Sequence, residues 1–131
     1  MSFQYRDRAK QLIDFSHMEY GVVHPTDIDA ILDLKGKGWI FFEVKTGQKD
    51  VPLGQRICLE RLVDNMNKSG KYAVSVVCEH YTPPGKDIDL SQCVIRKVYY
   101  KGRWLENYYG MLVKEFTDNV VKKVTNMCEK K

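Results

Sequence analysis

The sequence has no long apolar run. Near its centre the longest uninterrupted stretch is Trp39 to Phe42, far short of the roughly 20 residues a membrane helix needs. The first ten residues, MSFQYRDRAK, carry charge by Arg6 and hold no apolar core of about 7–15 residues, so no secretory signal is expected. The four cysteines, at 58, 78, 93 and 128, form no C-x-x-C pair. No paired histidines follow at zinc-finger spacing either, and a structural zinc site is not expected. Internal repeats, low-complexity tracts and linkers are also lacking. Charge of one sign is missing too: 21 basic against 17 acidic residues leave +4. That balance permits a nucleic-acid partner without requiring one.

What is present is an ordinary globular chain. Its 131 residues are 44% hydrophobic and 29% charged, which fits one domain spanning residues 1–131 and excludes disorder or a coiled coil. Cys58 lies at helical spacing among apolar residues and Cys78 ends a strand-like run. Reduced, buried thiols are therefore expected, and with them a soluble, cytoplasmic protein.

Periodicity orders the elements. Tyr5, Ala9, Leu12, Ile13 and Ser16 recur at three- and four-residue steps, predicting a helix over 3–18 that Gly21 ends. Two strand-like runs follow, about Thr26–Leu34 and Gly38–Val44, joined by the turn Lys35-Gly36-Lys37-Gly38. The second is apolar and β-prone, as a central strand should be. Cys58, Leu59, Leu62, Val63 and Met66 make the stripe of a helix over about 53–68, stopped near Gly70. Tyr72–Cys78 is a further strand, expected parallel to its neighbour because a helix connects them. Cys93–Tyr100 and Arg103–Glu106 form a candidate hairpin across Lys101-Gly102, and a terminal helix carries Leu112, Val113, Phe116, Val120 and Val124. The order is α-β-β-α-β, then β elements and a helix: a single α/β domain.

Chemistry concentrates in Pro25-Thr26-Asp27-Ile28-Asp29 and Phe42-Glu43-Val44-Lys45. Strand alternation puts Asp27 and Asp29 on one face, and Glu43 and Lys45 on one face. Charged residues on so apolar a strand are expected to be paired or metal-bound. Folding the hairpin can set Asp29 beside Glu43, giving two hard oxygen ligands of the kind Mg²⁺ accepts along with water and phosphate. Lys45 can hold an attacking water or offset charge on a phosphorane-like transition state. A surface ion pair between Glu43 and Lys45 is the plain structural alternative.

This arrangement resembles the PD-(D/E)xK nuclease superfamily, in particular Holliday junction resolvases and stand-alone virus-type replication-repair nucleases. The match runs over roughly residues 3–80. The resemblance implies a restriction-endonuclease-like α-β-β-β-α-β core, a mixed sheet flanked by helices, followed here by a C-terminal β hairpin and helix. It implies Mg²⁺-dependent (or Mn²⁺-dependent) hydrolysis of DNA, with Asp29, Glu43, Lys45 and Gln55 as the catalytic set. Asp29 and Glu43 are the metal ligands it implies, with Glu19 at the end of the first helix and Asp27 as further candidates. Gln55, in Leu53-Gly54-Gln55-Arg56 at the head of the second helix, is placed to reach the active-site water or a phosphate.

Basic residues suggest where DNA would lie. Lys35, Lys37 and Lys49 are expected around the site, and Arg96, Lys97, Lys101 and Arg103 occupy a stretch without acidic residues; all can neutralise phosphates. No base-reading module is visible, so recognition through backbone or DNA shape is expected. Branched or structured DNA is the expected substrate, and a four-way junction would call for a two-fold homodimer. The rival from another class is a catalytically silent nucleic-acid-binding or protein-interaction module on the same fold.

Overall fold

A computed structural model describes residues 12–129, with side chains to 127. Its elements run β1 (Ala30–Asp33), β2 (Gly38–Thr46), α1 (Leu53–Lys68), β3 (Tyr72–His80), β4 (Val94–Tyr100), β5 (Arg103–Leu105) and α2 (Val113–Glu129). They form an α/β fold around one five-stranded mixed sheet in the order β1-β2-β3-β4-β5. The β2–β3 pair is parallel, joined through α1, and the other neighbours are antiparallel. No described helix is long and apolar enough to cross a membrane.

The sheet is central because its middle strands are apolar on both faces. On one face Ile40, Phe42, Val74, Val76, Cys78, Ile95 and Val98 pack beneath α2 through Val113, Phe116, Val120 and Val124. On the other, Phe41, Ala73 and Tyr99 meet Leu59 and Val63 of α1. This second contact is smaller in apolar terms and is reinforced by hydrogen bonds. Ser75 donates to the Leu59 carbonyl at 3.2 Å, Tyr99 to the Asp64 carboxylate at 2.9 Å, and the Trp104 indole to Glu60 at 2.7 Å. Buried polar groups are tolerated when paired in this way. Gly70, at φ 84° just past α1, lets the chain reverse so that the Lys71 N–H reaches the Met66 carbonyl at 3.0 Å, a glycine stop of the usual kind.

Three expectations need correction. Most of the helix predicted over 3–18 lies outside the described residues, but residues 12–18 are not helical. Asp14 accepts the Ser16 N–H at 2.9 Å and Met18 N–H bonds to the Phe15 carbonyl at 2.9 Å; such local bonds compete with helix. The first strand is shorter than expected, beginning at Ala30, because residues 27 and 29 bond to side-chain and backbone partners outside a β1 ladder. Finally, no third strand stands between β2 and α1. Residues 47–52, with Gly47 at φ 60° and Pro52 capping α1, form a loop. The described order is therefore β-β-α-β-β-β-α.

The three cysteines whose side chains are described, Cys58, Cys78 and Cys93, are free, but Cys58 is only half-buried. Cys78 and Cys93 are buried, and burial pushes both thiols up.

Candidate active site

The β1–β2 register pairs Ala30 with Phe42, so one step further Asp29 falls opposite Glu43. There the ladder ends. The Val44 N–H, which a longer β1 would have covered, is taken instead by Asp29 Oδ2 at 2.7 Å. Asp29 thus turns its carboxylate toward β2 and meets the side chain of Glu43. Glu43 follows Phe41 on the α1 face of β2, and only 3% of its surface is exposed.

Two carboxyl groups so close cannot both ionise cheaply. Burial is the larger cause and the charge of Asp29 the next; a hydrogen bond shared with Asp29 adds to them, and Asp27 contributes a smaller push. Together they raise Glu43 to about 7, against the opposing pull of Lys45. The Lys45 ammonium stands 3.6 Å from Glu43 Oε1. Glu43 Oε2 is buried with no hydrogen-bond partner. A buried oxygen acceptor without a donor is costly, and it is the kind of atom a cation satisfies.

The remaining candidates fall into place unequally. Asp27 is exposed, and its carbonyl accepts from Gln55 Nε2 at 2.9 Å. Gln55 therefore ties the segment before Asp29 to the first turn of α1, and acts on the carboxyl pair through the backbone. Glu19 is exposed and has no hydrogen bond or ion pair with described residues; the helix meant to carry it to the metal is not formed over 12–18. No group of three or more His, Cys, Asp or Glu positioned for a metal occurs among the described residues. The structure assembles a two-carboxylate site rather than the four-ligand set of Asp29, Glu43, Glu19 and Asp27.

The basic residues need the larger correction. Lys35 and Lys37 sit in the turn between β1 and β2, just before Gly38, which opens β2 five residues ahead of Glu43. At about 3.3 Å per residue that is some 16 Å from the carboxyls, at the opposite end of the sheet. Lys101 and Arg103 flank the β4–β5 turn at that same far end. Hairpin turns close one end of a sheet while the acidic pair lies at the other; sequence proximity to β1 and β2 concealed this. Lys97 lies over the Trp104 ring at 4.8 Å. Lys49 alone of these lysines is exposed in the loop next to the carboxyl end.

Arg96 was expected at a phosphate, but its guanidinium is engaged within the protein. The β3–β4 register shifts between Val77 and Cys78, pairing them with Lys97 and Ile95, so Arg96 is the extra residue of a bulge. Bulges re-aim side chains. This one sends Arg96 into the loop after β2, where it donates to the Gly47 carbonyl at 2.6 Å, to the Lys49 carbonyl, and to Glu79 Oε2 at 3.1 Å. This one side chain braces the loop between Lys45 and α1, which the Gly47 N–H also ties to the His80 carbonyl at 2.9 Å. No sequence pattern announces such a brace, since a bulge is set by pairing register. Arg96→Met should free the loop and leave Glu79 unpaired, at a cost of about 1–3 kcal/mol. Trypsin cleavage after Lys49 in the folded protein should then accelerate at least severalfold; unchanged cleavage would mean the loop is held by something else.

Comparison with known proteins adds no relative: no family model, no curated protein and no solved structure matches this chain.

Proposed function

We propose that this protein is a Mg²⁺-dependent DNA endonuclease of the PD-(D/E)xK type, with a restriction-endonuclease-like core, acting on branched or structured DNA. One observation carries the reading. Asp29 and Glu43 meet where the β1–β2 ladder ends, with one buried carboxylate oxygen unpartnered, and the lysine two residues on is in ion-pair contact with Glu43. The ion pair with Lys45 leaves Glu43 Oε2 as a buried acceptor without a donor.

The donor set fits a hard divalent cation, since Mg²⁺ is commonly held by one or two carboxylates with waters and a phosphate completing its shell. Asp29 and Glu43 would hold it. Once bound, it would supply Lewis-acid polarisation of a phosphodiester. Lys45, with a fifth of its side chain exposed, stands between the buried carboxylate and solvent. It holds the attacking water or offsets charge developing on the phosphate oxygens. Gln55 keeps Asp27, and with it Asp29, against α1.

A second reading has its own support. Asp29 already serves the fold by capping the Val44 N–H, which a catalytically silent nucleic-acid-binding module would equally require. Incubating the protein with linear, flapped and four-way DNAs, with Mg²⁺ or Mn²⁺ and with chelator, separates the two. The nuclease reading expects metal-dependent cutting, fastest on the branched forms, and dimerisation if junctions are cut symmetrically. Binding without cutting on every substrate would favour the silent module.

A further inference from the structure

The four cations that the corrected geometry removes from the carboxyl end share another location. The β1–β2 and β4–β5 turns close the same end of the sheet, with the start of β3 between them. Along this rim lie Lys35 and Lys37, then Lys71, then Lys101 and Arg103, with Lys123 of α2 above. Lys123 lies over the Tyr72 and Tyr100 rings, and Lys101 over Tyr100. All six cations are exposed, and none forms an ion pair among the described residues. Asp33, the carboxylate nearest the first turn, is engaged with the Gly36 N–H at 2.7 Å.

A second, independent feature marks the two turns. Lys35 at φ 57° precedes Gly36 at φ 75°, and Lys101 at φ 46° precedes Gly102 at φ 83°. Both hairpins therefore put a lysine in left-handed backbone, where asparagine, aspartate or glycine is favoured. Local preference is overridden twice, at one end of the molecule, in favour of a positive charge. Space around both turn glycines is open, so an extended ligand can approach the backbone.

We propose that this rim is a contact surface for the phosphate backbone of a nucleic acid, separate from the Asp29–Glu43 site. Three strand spacings separate the two turns, about 14 Å. That span matches about four base-pair steps of a duplex, whose phosphates advance about 3.4 Å along the helix axis on each strand. A lipid surface fits less well, because membrane-binding faces pair cations with apolar side chains. The two turns and Lys71 carry no exposed large hydrophobic residue. The inference goes beyond the cleavage reading and does not depend on it. If both hold, the protein grips DNA at a point remote from the phosphate it cuts, as a branched substrate with more than one arm would allow.

Lys35→Asn with Lys101→Asn tests this without endangering the fold, since asparagine suits the left-handed positions. Affinity for a four-way junction and a linear duplex is measured by fluorescence anisotropy between about 50 and 200 mM salt, alongside the unfolding midpoint. The expected result is a midpoint unchanged or raised, affinity about tenfold weaker, and a salt slope shallower by nearly two. Unchanged affinity and slope in the folded variant would overturn the proposal. So would wild-type binding to anionic vesicles or polyglutamate but not to DNA. Normal binding without any cleavage by the wild-type protein would remove the nuclease reading and leave this surface standing.

Discussion

Glu43→Gln is expected to be inactive and yet more stable than the wild type above neutral pH. Glu43 rises from an ordinary 4.5 to about 7 on folding, so between those values the native state holds a proton that the unfolded chain has released. Stability must then fall as pH climbs from about 4.5 to 7, and the deficit is fully present above 7. At about 1.36 kcal/mol per pH unit the loss is about 3 kcal/mol, several degrees in Tm for a domain of this size. Glutamine does not titrate, and its amide can donate to Asp29 where the carboxylates repel. Urea unfolding of the metal-free proteins at pH 5 and pH 8 should show the variant gaining stability relative to wild type as pH rises. A variant equal to or weaker than wild type at pH 8 would mean that the buried carboxylate is not strained.

Mg²⁺ should remove that penalty in the wild type. A cation held by Asp29 and Glu43 favours their ionised forms, so it should bind more tightly as pH rises through 7. At 100 times its Kd it would stabilise the fold by about 2.7 kcal/mol. Asp29→Asn separates this role from the structural one. An asparagine oxygen can still accept the Val44 N–H, preserving the cap, while the charge is gone. Calorimetry should find Asp29→Asn folded, with its Mg²⁺ shift reduced to a fraction of a degree. A full Mg²⁺ shift in that variant would confine Asp29 to capping and remove it as a ligand.

Much of the fold is legible in the sequence because local and tertiary preferences agree there. Trp39–Val44 and Tyr72–Cys78 are β-prone and buried on both faces, and α1 carries its stripe and its glycine stop. The Asp29–Glu43 juxtaposition is also readable, since a four-residue turn fixes hairpin register. Legibility fails where partners are distant. The bonds from the Val44 N–H to Asp29 and from the Gln55 amide to the Asp27 carbonyl explain why β1 begins at Ala30. The bulge at Arg96 depends on pairing between β3 and β4, and periodicity within β4 gives no hint of it. The positions of the basic residues are not legible because chain proximity is not spatial proximity in a strand: six residues can span the height of the sheet.

The central claim is that the carboxyl pair and Lys45 perform metal-dependent phosphodiester hydrolysis. The most direct measurement compares cleavage of a labelled four-way DNA by wild-type protein, Glu43→Gln and Lys45→Ala, with Mg²⁺ and with chelator, each variant shown to be folded. The predicted result is Mg²⁺-dependent cutting by the wild type and a loss of at least a hundredfold in both variants, in line with removing electrostatic stabilisation of a transition state. Cleavage by either variant at the wild-type rate, or none by the wild type on any DNA with Mg²⁺ or Mn²⁺, would contradict it.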